Sequence, residues 1–177
     1  LIGVAGEYFV MSELLRRGFV AALAPRGVPH TDIVVTDING HRLCAIQVKT
    51  RRAIGADGGW HMSEKHEAIF GEKLFYCFVD FGQAIDDPAH LFIVPSLLVA
   101  DVIKTSHTRW KNTPGRNGKV RSPDSKLRRF LPDYSHIFAC ADNPYKQGWL
   151  DKYKNAWHLL QLEPVREAPS AEGDATI

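Results

Sequence analysis

The sequence predicts a single α/β domain, a mixed central β-sheet flanked by helices. Three observations carry this reading. A helical period runs through the N-terminal residues, a strongly signalled β-hairpin follows it, and two apolar strand-like runs lead into a second helix. The chain has 177 residues, 45% of them apolar, enough for one substantial core. It opens at Leu1 rather than at a methionine, so upstream residues are expected. There is no signal peptide pattern and no apolar run of about 18 residues, so no membrane span is expected. Cys44, Cys77 and Cys140 are odd in number and far apart, with no C-x-x-C pair. That argues against a disulfide framework or a zinc site and for a reducing, cytoplasmic setting.

The elements follow in order. Residues 2–17 read as an amphipathic helix, with Val4, Tyr8, Met11, Leu14 and Leu15 on one arc and Glu13, Arg16 and Arg17 opposite. Gly18 is placed to end it. Glu7 breaks the pattern, falling on the apolar arc between Leu14 and Met11. Residues 31–37 and 42–50 read as strands joined at Asn39-Gly40, a pair that favours a two-residue type I′ turn. With those two as the loop, opposed residues sum to 79, so Val34 faces Ala45 and Asp32 faces Gln47. Cross-strand partners share a face, which sets Asp32 beside Gln47 with Lys49 two residues on. An amide and an ammonium on one face of an otherwise apolar strand are costly to bury without partners. By the same register His30 faces Lys49, as a strand-entry residue or as an assistant to a site.

A Gly-rich connection over residues 51–62 comes next, then "SEKHEAI", a short helix with Ser63 as N-cap. Residues 73–81 and 90–95 read as strands, and "SLLVADVIK" from Ser96 as a helix. Residues 147–161 place Trp149, Tyr153, Trp157 and Leu160 on one helical packing stripe. The expected organisation is one domain over 1–163, a basic insertion at 104–129 and a low-complexity tail at 164–177. Trp60, His61, Lys65 and His66 are read as a second wall of a cleft or as packing and surface residues.

Net charge is only +2, but residues 104–129 hold nine Lys and Arg against one acid, Asp124. Such a segment is either a phosphate-facing loop or a solvated insertion. There is no P-loop, nucleophile elbow or dinucleotide fingerprint, which leaves NTPase, triad hydrolase and dehydrogenase readings without support.

The misfit residues make a chemical set. Two carboxylates and an amide oxygen are hard ligands suited to Mg²⁺ or Mn²⁺. A lysine beside them can act on an attacking water or offset charge on a phosphate. "GEYFVMSELLRRGF" followed by "TDIVVTDINGHRLCAIQVKT" resembles the PD-(D/E)XK nuclease superfamily, most of all Holliday-junction resolvases and type IV restriction nucleases of the Q-x-K kind. The resemblance implies a restriction-endonuclease-like core. It implies Glu7 as the helix acid, Asp32 as the hairpin acid and Gln47-Val48-Lys49 as the Q-x-K motif. It also implies Mg²⁺, with Mn²⁺ as a substitute, held by Asp32, Gln47 and Glu7. The expected activity is Mg²⁺-dependent endonuclease action on DNA, double-stranded or branched. A homodimer is expected if the protein makes double-strand cuts or resolves junctions. Lys111, Arg116, Lys119 and Arg121 would track the backbone, joined by Arg51 and Arg52, which are equally readable as a solvated strand end. Gln47 carries no charge where the motif more often has an acid. That keeps a second reading open, a nucleic-acid-binding module on a nuclease fold that no longer cleaves.

Overall fold

The protein is described from a computed structural model that covers residues 1–52, 58–115, 118–122, 124–139 and 142–162. Arg116, Cys140 and the expected tail lie outside them. Helix α1 spans Ile2–Arg16, and Gly18, at φ 78°, ends it in the left-handed region that glycine adopts without a Cβ penalty. Its buried face is Gly6, Val10 and Leu14 rather than the predicted arc. Val4, Tyr8 and Leu15 are exposed. Gly6, with no side chain, counts for nothing in a hydropathy pattern, yet it lies directly against Thr50 of the sheet.

Strands β1 (Val20–Leu23), β2 (Ile33–Thr36) and β3 (Leu43–Arg51) form an antiparallel meander. The predicted hairpin register holds: Ile33 pairs with Ile46, Val34 with Ala45, Val35 with Cys44. The turn differs from the expected type I′, because only Gly40 has positive φ. Asp37 closes a wider loop instead, its carboxylate accepting the backbone N–H groups of His41 (2.9 Å) and Arg42 (3.0 Å).

The chain then crosses through β4 (Trp60–Ser63) and a 3₁₀ turn at Glu64–Glu67, and returns as β5 (Leu74–Asp80), parallel to β3. Strand β6 (His90–Pro95) is antiparallel to β5, giving the order β1-β2-β3-β5-β6. Helix α2 spans Ser96–Asn112, two turns beyond the predicted stretch. Strand β7 (Leu127–Phe130) pairs with β4 in a second, two-stranded sheet. The basic segment is therefore divided among the second half of α2, a connecting stretch and β7. No helix occupies 147–161. Two 3₁₀ turns, Asp151–Tyr153 and Trp157–Leu160, stand there, separated by Asn155 at φ 51°.

The main sheet divides two cores. On one face Val10 and Leu14 of α1 pack with Ile33, Val35, Cys44, Ile46, Val48 and Cys77, and Trp157 and Leu160 join them. On the other, Tyr76 and Phe78 pack with Val99, Val102 and Ile103 of α2, with Trp60 and Phe130 of the small sheet, and with Trp149 and Tyr153 at its margin. The stripe predicted for residues 147–161 does pack, but across both cores. This is the mixed α/β architecture expected from the sequence. No helix among the described residues is long and apolar enough to cross a membrane.

Candidate active site

The alternation of β3 decides the site. Cys44, Ile46 and Val48 face the α1 core, so Gln47, Lys49 and Arg51 project to the opposite face. Asp32 sits one residue before β2. Its backbone N–H donates to the Ile46 carbonyl at 2.9 Å. Its carboxylate accepts the Val48 N–H at 2.7 Å, taking the place of the next rung of the ladder. The backbone rung is unavailable because His30 adopts φ 62°, which turns the chain out of the strand just before Asp32. His30 thus lies in the turn that leads into Asp32, within electrostatic reach of His66.

Glu7 reaches this region from α1. Partial burial, and after it repulsion from the Asp32 carboxylate, raise its pKa above the usual carboxylate value, with Arg26 opposing. Lys49 is drawn down from the usual ammonium value, first by burial and then by Lys65, against the attraction of Asp32. Gln47 is 9% exposed, and its Oε1 is buried with no hydrogen-bond partner among the described residues. Of the four predicted residues, Asp32 reaches β3 at Val48, the residue after Gln47, Gln47 and Lys49 share a face by strand parity, and Glu7 and Lys49 both feel the Asp32 charge.

Among the described residues no three His, Cys, Asp or Glu side chains converge into a metal-binding group. The set present is two carboxylates and an amide oxygen. It fits a hard divalent cation in three respects. The ligands are oxygens, the Gln47 oxygen lacks a partner among the described residues, and Asp32 repels the Glu7 carboxylate, which a cation would relieve.

Two side chains that were not assigned to the site adjoin it. Tyr76 lies opposite Gln47 across the β3–β5 pair. Its hydroxyl is buried without a partner among the described residues, and burial with the nearby Asp32 charge raises its pKa. His66, on the 3₁₀ turn, is 4% exposed and contacts Tyr76 edge-on, with ring centroids 6.2 Å apart. Burial, then Lys49, push its pKa down to about 4, so the ring is neutral at pH 7. Tyr76 was passed over in the sequence, where its only signal is a single hydroxyl in a strand that otherwise reads as apolar. Of the proposed second wall, only His66 turns inward in a polar role. Trp60 is core, its indole N–H donating to the Val79 carbonyl at 2.9 Å, and His61 and Lys65 are exposed.

The cationic residues separate into engaged and open ones. Arg51 pairs with Asp80 at 2.6 Å and lies 4.0 Å over the Trp60 ring. Arg128 is buried and paired with Glu67. Arg52 is half-buried. Lys104, Lys111 and Lys119 are exposed, and Arg121 covers Trp110 at 4.8 Å. An open groove along α2 is lined by Lys104, Thr108, Arg109 and Asn112.

No protein-family profile and no curated protein matches the chain. Among solved structures it is similar to a bacterial homing endonuclease, I-Ssp6803I, at 14% identity and a TM-score of 0.48, over 90% of this chain and 89% of that one. It is also similar to Hjc, a Holliday junction resolvase from Archaeoglobus fulgidus, at 17% identity and a TM-score of 0.42, over 77% of this chain and 87% of that one. The path of this chain, a helix, a three-strand meander, a crossover and a parallel strand, has the element order and mixed sheet that the sequence resemblance led us to expect.

Proposed function

We propose that the protein is a Mg²⁺-dependent endonuclease that hydrolyses DNA phosphodiester bonds, with Mn²⁺ as a substitute. One observation supports this most: a buried amide oxygen without a partner among the described residues, on Gln47, lies on β3 next to the Asp32 contact at Val48 and on the face that carries Lys49, and Glu7 feels the same Asp32 charge. Asp32, Gln47 and Glu7 would hold the cation, Glu7 through water. The cation supplies Lewis-acid stabilisation of charge on the phosphate. Lys49, its ammonium form disfavoured by burial, orients the attacking water or offsets the developing charge. The exposed Lys111 and Lys119, with Arg121 and Arg116, contact backbone phosphates, which gives affinity without sequence choice. Double-stranded or branched DNA is the substrate class.

Gln47 favours a second reading, a module that binds nucleic acid without cutting, because an amide brings no charge to the cation. Metal affinity separates the two. Titrating Mn²⁺ into the protein should give binding that Asp32→Asn weakens at least tenfold. Equal affinity in both proteins would favour the binding module.

A further inference from the structure

Three polar groups next to Lys49 are each at least nine-tenths buried and lack partners among the described residues: Gln47 Oε1, Tyr76 Oη and His66 Nε2. They belong to one cluster. Gln47 and Tyr76 are register partners on adjacent strands and share a face. His66 lies edge-on to Tyr76. Buried polar groups are normally satisfied, by protein or by ordered water, so three together mark a site.

Their hydrogen-bonding roles can be assigned. The Ser63 backbone N–H lies 3.1 Å from His66 Nδ1. An amide N–H can only donate, so Nδ1 accepts. The Ser63 carbonyl is also 3.1 Å away and its hydroxyl 3.0 Å, but a proton on Nδ1 would oppose the amide hydrogen. With the amide contact taken as deciding over the carbonyl contact, the single proton of the neutral ring is assigned to Nε2, a donor. The Tyr76 hydroxyl, kept protonated by burial, is a second donor.

We propose that His66 and Tyr76 are positioning residues that hold one buried water against Gln47 and thereby fix its amide with the oxygen toward the cation site. A water that accepts from both donors has only its hydrogens left to offer. The group it meets on Gln47 must then be the carbonyl oxygen, not the NH₂. An amide oxygen has two lone pairs, so it can take this hydrogen and still face a cation beside Asp32. A carboxylate at position 47 would need no such device, since both its oxygens accept. The inference deepens the nuclease reading and rests on it for the identity of the cation.

The test is a double-mutant cycle read by Mn²⁺ affinity and thermal midpoint. Tyr76→Phe removes one oxygen and keeps the ring. It should weaken Mn²⁺ binding about tenfold, in the range of losses from outer-shell ligand partners, and lower the midpoint. In a Gln47→Glu background the same change should weaken Mn²⁺ binding less than about threefold, since the orientation problem is gone. Equal weakening in the two backgrounds, or Mn²⁺ affinity unaffected by Tyr76→Phe, would overturn the proposal. So would a raised midpoint, which is the expected result of deleting an unpaired buried hydroxyl. If the wild-type protein binds no Mn²⁺, the nuclease reading fails, and the sign of the midpoint shift alone decides the water site.

Discussion

Replacing Gly6 by alanine tests how the site is assembled. Gly6 sits in α1 where the helix crosses β3, one residue before Glu7. A Cβ built there would lie 1.8 Å from Thr50 Oγ1, 2.9 Å from its Cβ and 3.0 Å from its Cγ2. Ordinary contact begins near 3.4 Å, so the surfaces must separate by about 1.6 Å. Rotating Thr50 does not help, because each β-branched rotamer leaves a heavy atom close by. The helix must move, and Glu7 moves with it. Overpacking on this scale costs about 3 kcal/mol, and the better helix propensity of alanine returns about 1 kcal/mol. The net loss of about 2 kcal/mol lowers the melting midpoint by roughly 4–8 °C for a chain of this size. Circular dichroism melts would measure it, with Mn²⁺ titration alongside to detect displacement of Glu7. Thr50→Ala in the same chain should recover part of both losses. A midpoint that rises by a few degrees would refute the reasoning, since propensity alone predicts that rise.

Two further outcomes follow from named groups. His66 has its folded pKa depressed to about 4 from 6.5. Its stability contribution is thus complete above pH 6.5 and is lost as pH falls toward 4, by roughly 3 kcal/mol over that window. Urea unfolding of wild type and His66→Asn at pH 7.0 and 4.5 should show a smaller acid penalty in the variant, and equal penalties would contradict the burial argument. Each phosphate contact contributes about 0.9 to the slope of log K against log salt. Lys111→Ala with Lys119→Ala should therefore flatten that slope for DNA binding by about 2, read by fluorescence anisotropy. Arg128→Ala should lower stability without changing it, since Arg128 is buried against Glu67.

The hairpin register was legible because the alternation of apolar residues and the Asn-Gly pair agree on one pairing. The wider loop closed by Asp37 keeps the same sum of paired positions, so the predicted neighbours survived a wrong turn type. That register runs to the Ile33–Ile46 pair and leaves the Asp32 carboxylate at Val48, next to Gln47. The face of α1 was misread because the pattern gave weight to Val4, Tyr8 and Leu15, while the contact surface is centred on a glycine. Glu7 still lies at the margin of that surface, near Leu14. Strands β1, β4 and β7 were not foreseen. Each has four residues, and β4 finds its partner β7 more than sixty residues along the chain, a pairing that no local pattern encodes. The 147–161 stretch has a helical period, but Asn155 takes a left-handed conformation that interrupts it. Tyr76 escaped notice because its strand reads as uniformly apolar, and its role depends on the parallel pairing that sets it opposite Gln47.

The most direct measurement is cleavage of supercoiled plasmid in Mg²⁺, Mn²⁺ or EDTA, with Lys49→Ala beside the wild type. The account predicts nicking that requires the divalent cation and falls at least a hundredfold in Lys49→Ala, while both proteins shift DNA equally in a salt-sensitive mobility assay. Salt-sensitive binding by both proteins with no cleavage by either would contradict it and leave a nucleic-acid-binding module on a nuclease fold.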